Sequence, residues 1–508
     1  MPKSLPPRPS LEQLRNQAKD VLKSCKSGDP AAIQRIAEHH PRFAKSESPI
    51  RAAKFSLSDA QLVIAREYGF ATWPKLKEHV ESVLLDTGDP MELFHKAFTE
   101  SDAPMLRRLL ERYPEMKAKI NEPLGPFDSP AITHARSREM LDVLLDAGAD
   151  INARSRWWAG GFGLLDGCDP DLAAYAIQRG AIVDAHAAAR LGLFDRLREF
   201  VAADPALVHA RGGDGQTPLH FASTVAIAEF LLDHGADIDA RDVDHESTPA
   251  QYMVRDRQEI VRCLVRRGCK TDVLMAAALG DADLIRKHLD DDPNCIRIRV
   301  SDEYFPMINR KSGGTIYQWT LGWYVSPHDV AKQFGHDHVF RLLMERSPAD
   351  VKLIAVCWDA DEPAVKSLIT SHPGLVAHLS DAYRRHVAHA ARNNNLSAVR
   401  VMLAAGLPVD ALGQHRATPL HWAAFHGNAE MTREILRHSP PLELTDADFQ
   451  GTPLGWAIYG SEHGWHCLTG NYAATVEALL YAGAKLSEKM TGGTEAVKEV
   501  LRRQPATD

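Results

Sequence analysis

Two short phrases recur along the 508-residue chain, and their spacing constrains the fold more than any other feature. One phrase pairs threonine or serine with proline at the start of an apolar run, at Thr217, Thr248, Ser326, Thr418 and Thr452. The other begins with Leu-Leu or Met-Leu and has a glycine four residues after its first residue, at Leu144, Leu231, Met402 and Leu479. Thr418 and Thr452 are 34 residues apart. Repetition at this interval predicts an array of small, similar units.

The residue types in each phrase indicate what one unit looks like. A threonine oxygen caps free N–H groups at a helix start, and proline fits the first helical position because it has no N–H to leave unpaired. The glycine of the second phrase can take the left-handed conformation that ends a helix and redirects the chain. Neither short helix can bury its apolar stripe alone, so neighbouring helix pairs must stack on one another.

The phrases TPLHFA, from Thr217, and TPLHWA, from Thr418, resemble the signature of the ankyrin repeat, whose period is near 33 residues. The resemblance extends over roughly residues 90 to 500 when weaker copies of the pattern are included. It implies an all-α repeat solenoid, an ankyrin array of about twelve helix-turn-helix units. It also implies that His220 and His421 hydrogen-bond the turns between units.

We expect four segments along the chain. Residues 1–88 are predicted to form helices that cap the array, and they resemble the helical leader preceding ankyrin arrays in a group of bacterial proteins. Residues 89–295 hold degenerate and regular repeats, and 296–325 form a first insertion. Residues 326–508 hold the C-terminal repeats, a second insertion at 461–469, and a short helix as the final cap.

Composition and charge narrow the possible partners and location. The formal net charge is −8, and lysine and arginine are spread along the chain, so neither nucleic acid nor a membrane is an expected partner. There is no apolar run long enough to span a membrane and no signal-peptide core at the start, which favours the cytoplasm. The seven scattered cysteines, without a CxxC pair, are typical of a reducing compartment.

The first insertion predicts a long β-hairpin. Alternating apolar and polar residues flank a turn at Lys311–Gly314, and the segment carries Tyr317 and Trp319 among six aromatic side chains. In ankyrin arrays hairpin loops project along the concave side. The aromatic residues can therefore either pack on neighbouring repeats or form a wall for a ligand.

The first helices of the C-terminal repeats carry the residues expected to face the concave groove. Aligning their signatures places aromatic, histidine and arginine side chains at these positions: Trp358, His389, Arg392, Trp422, Phe425, His426, Trp456 and Tyr459. Aromatic side chains and arginine dominate binding hot spots because they give a large contact area and charge-assisted hydrogen bonds. Together with Trp465, Tyr317 and Trp319 from the two insertions, they form the predicted binding surface.

The second insertion leaves three interpretations open. His463, His466 and Cys467 could bind a metal, although the spacing is weak evidence and matches no metalloprotease motif. His426, His463 or His466 could serve as a catalytic base, with Ser461 or Cys467 as nucleophile. The segment could also be a structured loop without chemistry, and no cofactor is expected.

The predicted function follows from the predicted binding surface on the C-terminal repeats. The resemblance implies a binding scaffold that recognises a protein or peptide of unknown identity through its concave groove. The alternative is an enzyme or small-molecule binder whose pocket over the C-terminal repeats is closed by the hairpin and the second insertion. The sequence favours binding without turnover and leaves enzymatic activity open.

Overall fold

The computed structural model describes residues 2–6, 9–43, 55–487 and 492–503. It forms two units, Met1–Ala187 and Ala188–Asp508. Over these ranges the regular structure consists of α-helices and short 3-10 helices, with one isolated bridge between Gly125 and Ser129 and no strand. None of the helices in the described segments combines the length and hydropathy of a membrane-spanning segment. The predicted helical repeat architecture is confirmed.

The first unit begins with four helices and continues with short helix pairs. Its α-helices are α1 (Leu11–Lys26), α2 (Pro30–His39), α3 (Leu57–Glu67), α4 (Trp73–Thr87), α5 (Pro90–Thr99), α6 (Ala103–Arg112), α7 (Arg138–Asp146), α8 (Leu164–Gly167) and α9 (Pro170–Gln178). Its 3-10 helices are Pro114–Lys119, Pro126–Asp128 and Ala131–His134. Helix α10 (Ala185–Arg190) crosses the boundary between the units. Helices α1 to α4 enclose a core of their own that includes Leu14, Ile36 and Val63.

The second unit continues with helix pairs to the C-terminal end of the described chain. Its α-helices are α11 (Phe194–Ala203), α12 (Val225–Asp233), α13 (Pro249–Met253), α14 (Gln258–Arg266), α15 (Val273–Leu279), α16 (Ala282–Asp291), α17 (Tyr317–Thr320), α18 (Pro327–Gln333), α19 (Asp337–Arg346), α20 (Ala349–Trp358), α21 (Glu362–Ser371), α22 (Asp381–Arg384), α23 (His386–Arg392), α24 (Leu396–Ala404), α25 (Pro419–Phe425), α26 (Ala429–Leu436), α27 (Pro453–His463), α28 (Tyr472–Tyr481) and α29 (Glu495–Arg502). Its 3-10 helices are Pro205–His209, Gly213–Gly215, Pro218–Phe221, Pro293–Arg297 and Gln414–Arg416.

The recurring Thr-Pro-Leu-His phrase joins one repeat to the next. In α25, Thr418 caps the helix, and its N–H donates to His421 Nδ1 at 3.1 Å. The opposite ring nitrogen, Nε2, donates to the carbonyl of Gly451 in the next turn at 3.1 Å. Burial lowers the pKa of His421 to about 4, so the neutral ring keeps one donor and one acceptor. His220 makes the same pair of contacts, to Thr217 and Ser247.

The expected β-hairpin over 296–325 is wrong. The first insertion is a closed loop whose ends meet through two backbone hydrogen bonds, from Val300 N–H to Val325 and from Tyr324 N–H to Val300. Between them lies the single helical turn α17, and no strand occurs in this part of the chain, all of which is described.

The backbone groups of the loop form hydrogen bonds with a distant turn instead of with a second strand. Residues 242–247 receive it: Gly313 N–H donates to the Asp244 carbonyl at 3.1 Å, and Ile316 N–H donates to Ser247 Oγ at 3.1 Å. His245 Nδ1 donates to the Gly314 carbonyl at 2.7 Å. Pro306, which has no N–H, could not have donated to a ladder. These contacts between segments about 60 to 70 residues apart override the local alternation that predicted a hairpin.

Candidate functional site

An aromatic cavity of about 590 Å³ opens on the C-terminal repeats of the second unit. The residues that line it come from two consecutive repeats, the second insertion and the segment before α29: His415, Trp422, Phe425, Phe449, Gly451, Gly455, Trp456, Ile458, Tyr459, Glu462, His463, Trp465 and Gly493. Six of the lining side chains are Trp, Phe or Tyr, so the walls are largely ring faces and edges. We refer to this site below as the aromatic cavity.

Three kinds of segment supply the walls. The neighbouring first helices α25 and α27 contribute Trp422, Phe425, Trp456 and Tyr459, because helical spacing directs these positions to one side of the stacked pair. The turns before the helices contribute His415 and Phe449. The segment after α27 contributes Trp465, whose ring lies 5.9 Å from that of Trp422 and 5.3 Å from that of Phe425.

The inner wall is held rigidly, while the mouth is open. Trp422 and Trp456 are buried and meet edge to face with ring centroids 5.1 Å apart. Phe449, Tyr459 and Trp465 at the mouth are 68%, 60% and 58% exposed. The cavity therefore combines a fixed floor with large apolar side chains that face solvent.

A buried carboxylate fixes Trp456. Asp446 Oδ2 accepts from the indole Nε1 at 2.9 Å and from the Gly451 N–H at 2.8 Å, while Oδ1 accepts from the N–H groups of Asp448 and Phe449. Burial alone would raise the pKa of Asp446, but these hydrogen bonds favour the charged form and bring the pKa below its usual value. An ionised carboxylate thus lies at the N–H edge of the Trp456 ring.

The rim carries acidic groups. Glu462 Oε2 accepts from the Gly493 N–H at 3.0 Å, which keeps this carboxylate at the edge of the aromatic cavity. His415 Nδ1 and Asp448 Oδ2 are hydrogen-bonded at 2.5 Å, so the ring of His415 faces the cavity with its orientation fixed.

Arg392 links the two insertions. Its guanidinium carbon lies 4.6 Å from the ring centre of Trp323 in the first insertion and 5.3 Å from that of Trp465 in the second. It also lies 5.4 Å from the ring of Trp422, and its Nε donates to Gln414 Oε1 at 2.6 Å. Burial lowers the pKa of Arg392 to about 10, and the group remains charged at neutral pH. A cation among three indole rings thus bridges the two insertions.

A second group of aromatic side chains, at the corresponding positions of the helices α20 and α23, is buried. His389 stacks on Tyr324 of the first insertion with ring centroids 3.5 Å apart, and burial lowers the pKa of His389 to about 3. Trp358 is buried and donates from Nε1 to His386 Nδ1 at 2.9 Å. Trp358 also borders a separate, polar cavity of about 390 Å³. Here the first insertion covers first-helix positions whose counterparts in the next two repeats line the aromatic cavity.

The histidines and cysteine of the second insertion do not converge. Helix α27 continues to His463, whose ring lies 4.7 Å from Tyr459, whereas His466 lies 5.1 Å from His426. Among the described residues, the His, Cys, Asp or Glu side chains that bring three possible ligand atoms within 4.8 Å of one another form a different group, Asp214, Asp244 and His245. Its Asp244 and His245 hold the first insertion in place.

The remaining predicted site residues differ in how deeply they are buried. His426 is buried, its Nε2 donates to the Arg392 carbonyl at 2.8 Å, and burial lowers its pKa to about 4. Tyr317 is fully buried, and its hydroxyl donates to Asp272 Oδ2 at 3.0 Å. Trp319, in contrast, is 73% exposed and lies outside the lining of the aromatic cavity.

Among the residues that sequence reasoning missed are His415 and Phe449, which line the aromatic cavity, and Asp446, which fixes Trp456. They lie in the turns before helices, and the repeat alignment compared helix positions only. A signal was present, because Phe449 is a large apolar residue in the otherwise polar turn DADFQG. Such a residue in a turn is unexpected unless it packs or binds.

Comparison with known proteins agrees with the repeat geometry. A family model described as "Ankyrin repeats (3 copies)" matches residues 185–275, 353–444 and 387–490. Two curated relatives are each named "Ankyrin repeat and SAM domain-containing protein 6". The mouse (Mus musculus) protein is 28% identical over 150 residues, which is 29% of this chain and 16% of that protein. The rat (Rattus norvegicus) protein is 28% identical over 131 residues, covering 25% of this chain and 15% of that protein.

The chain thus spans about a sixth of the length of the curated relatives it matches. The aromatic cavity lies within the last matched segment, apart from Gly493. Signature, stacking and family match agree that the chain contains ankyrin repeats over residues 185–275 and 353–490.

Proposed function

We propose that this protein is a binding scaffold that captures a protein or peptide partner on the concave side of its C-terminal repeats, with the aromatic cavity as the docking site. The observation that carries the proposal is the exposure of Phe449, Tyr459 and Trp465 together at the mouth of one cavity. Contiguous apolar surface of this kind marks interaction sites, because leaving it in water is unfavourable.

The fixed floor supports tight binding. Trp422 and Trp456 are already ordered by neighbouring rings and by the hydrogen bond from Trp456 to Asp446. A partner that enters the aromatic cavity therefore loses little of its binding free energy to ordering these side chains. Tryptophan and tyrosine at the centre of a desolvated pocket are also the commonest hot-spot residues.

A small molecule is the second candidate ligand. The volume of about 590 Å³ falls within the roughly 300 to 1,000 Å³ typical of small-molecule sites, and the walls are apolar with a few polar groups. Turnover has less support, because the Ser461 hydroxyl donates to the Ile458 carbonyl and accepts from Thr494 N–H. That hydroxyl is engaged in holding α27 to the segment before α29.

A cytoplasmic location fits the proposed role. Cys25, Cys263, Cys269, Cys295, Cys357 and Cys467 are free thiols, as expected of a protein in a reducing compartment. The resemblance of the leader to that of bacterial ankyrin proteins supports a bacterial cytoplasm.

Affinity enrichment from a cell lysate with matched variants tests the proposal. We expect wild-type protein to enrich a partner that Tyr459→Ala and Trp465→Ala fail to retain. Tyr481→Ala is the matched control, since Tyr481 is exposed on α28 and does not line the aromatic cavity. A partner retained equally by all four proteins would place binding elsewhere and contradict the proposal.

A further inference from the structure

We propose that the aromatic cavity binds a basic side chain, lysine or arginine, presented by the partner peptide. This inference rests on the proposed function and specifies the chemistry of its ligand. The aromatic rings would contact the alkyl stem and the faces of the cationic group, and Glu462 at the rim would pair with the charge.

The charges around the aromatic cavity favour a cation. Glu462 lines it, and the ionised Asp446 accepts a hydrogen bond at the N–H edge of the Trp456 ring. His415 is paired with Asp448, so this pair contributes no net positive charge. The guanidinium of Arg392 lies behind the wall, over Trp422 and Trp465, and is not part of the lining. The chain as a whole also carries a formal net charge of −8.

The hydrogen bond to Asp446 strengthens the floor as a cation-binding surface. An indole N–H that donates to a carboxylate moves electron density into the ring, which makes the ring face more negative. Tryptophan is already the best aromatic partner for a cation within about 6 Å of the ring centre. Asp446 is thus a positioning residue: it fixes the orientation of Trp456 and increases the attraction of its face.

A neutral side chain would fit less well. It could cover the rings, but it would also displace water from the carboxylate of Glu462 without replacing the lost hydrogen bonds. Burying a charge without a partner is costly, whereas lysine or arginine would supply both a counter-charge and donors. The long alkyl stems of these residues would lie along Phe425 and Trp422, as such stems do on apolar surfaces.

Oriented peptide pools test this directly on the full-length protein. Each pool has a fixed central residue, either lysine, arginine, norleucine or phenylalanine, with the same randomised neutral flanks, and binding is measured by fluorescence anisotropy. We expect the lysine and arginine pools to bind about tenfold more tightly than the norleucine pool. Glu462→Gln should reduce this preference to about threefold or less, and Glu477→Gln, an exposed carboxylate change on α28, should leave it intact.

The outcomes separate this inference from the proposed function. If the norleucine or phenylalanine pools bind as tightly as the basic pools, or if the preference survives in Glu462→Gln, the cation inference is overturned. In that case, loss of binding in Tyr459→Ala still upholds the aromatic cavity as the docking site. If no pool binds, or if binding persists unchanged in Tyr459→Ala, both the inference and the proposed function fail.

Discussion

Both insertions carry aromatic side chains, six in the first and one, Trp465, in the second, and the two insertions place them differently. The first, 296–325, buries Tyr317, Trp323 and Tyr324, and its backbone groups hydrogen-bond to backbone and side-chain groups of the turn at 242–247. The second, 461–469, keeps Trp465 at the mouth of a cavity, with more than half of its surface exposed. Aromatic content alone therefore does not distinguish packing from binding.

The difference follows from where the backbone groups find partners. A buried loop must satisfy its N–H and C=O groups, and the first insertion does so on another repeat, so its rings are drawn into the core. The second insertion begins as an extension of α27 and returns within a few residues to α28, so its backbone stays near the surface. Trp465 is therefore free to contact a partner, because the fold does not depend on burying it.

The largest expected effect is on stability, from the first insertion. Tyr317→Ala removes a fully buried ring and leaves the buried Asp272 carboxyl without its hydroxyl donor. We expect the free energy of unfolding of the second unit to fall by about 3 to 5 kcal/mol. Urea unfolding followed by tryptophan fluorescence measures the change. A loss below about 1 kcal/mol would mean that the insertion is not a structural element.

Acidification should lower the stability of the fold through two buried histidines, one packed against each insertion. The pKa values of His389 and His426 are lowered to about 3 and about 4 by burial, below the value of about 6.5 in the unfolded chain. At pH values between the folded-state and unfolded-state pKa, the unfolded state binds more protons than the folded state. The stabilisation is therefore complete above about pH 6.5 and is lost as the pH falls toward the folded-state pKa.

Each of these histidines should therefore cost about 2 kcal/mol of stability on going from pH 7 to pH 5. The variants His389→Gln and His426→Gln should each show a shallower pH dependence than wild-type protein, by about that amount. Urea titrations at the two pH values measure it. Equal pH dependence in all three proteins would show that these imidazoles are not held neutral by burial.

The second insertion should affect binding and not stability. Trp465→Ala should weaken partner binding by about 1 to 2 kcal/mol or more, and change the free energy of unfolding by less than about 1 kcal/mol. Trp319→Ala, an exposed tryptophan of the first insertion outside the aromatic cavity, is the control. If the two variants bind the partner equally well, the second insertion contributes no more to binding than the first, and the prediction is wrong.

The smallest expected effect is the coupling of the insertions through Arg392. In a double-mutant cycle of Arg392→Met with Trp323→Leu, and in one with Trp465→Ala, we expect non-additivity of about 0.5 to 1 kcal/mol in the free energy of unfolding. The pair Arg392→Met and Trp319→Ala should be additive. Additivity in all three cycles would remove Arg392 as the link.

Much of the repeat architecture could be predicted from the sequence, because its signals are local. Thr418, Pro419 and His421 cap one helix and contact the next turn within about 30 residues. The position of Tyr459 at the cavity mouth follows from the same alignment, since its helix repeats the spacing of α25.

What could not be predicted depends on contacts between distant segments. The first insertion reads locally as a hairpin, and only the groups of Asp244, His245 and Ser247 make it a closed loop. Burial of His426 and Trp422 likewise depends on how closely neighbouring repeats stack, which the repeat pattern does not encode. Phe449 is a conspicuous apolar residue in its turn, but its position in the aromatic cavity depends on the turn conformation that Asp446 fixes.

Site-specific photocrosslinking tests the central claim most directly. The photoreactive amino acid p-benzoylphenylalanine replaces Tyr459 in one protein and Tyr481 in another, and each is irradiated with the partner enriched by wild-type protein. The account predicts a covalent adduct from position 459, which lines the aromatic cavity, and none from position 481 on α28. An adduct from position 481 alone, or equal adducts from both positions, would contradict docking in the aromatic cavity.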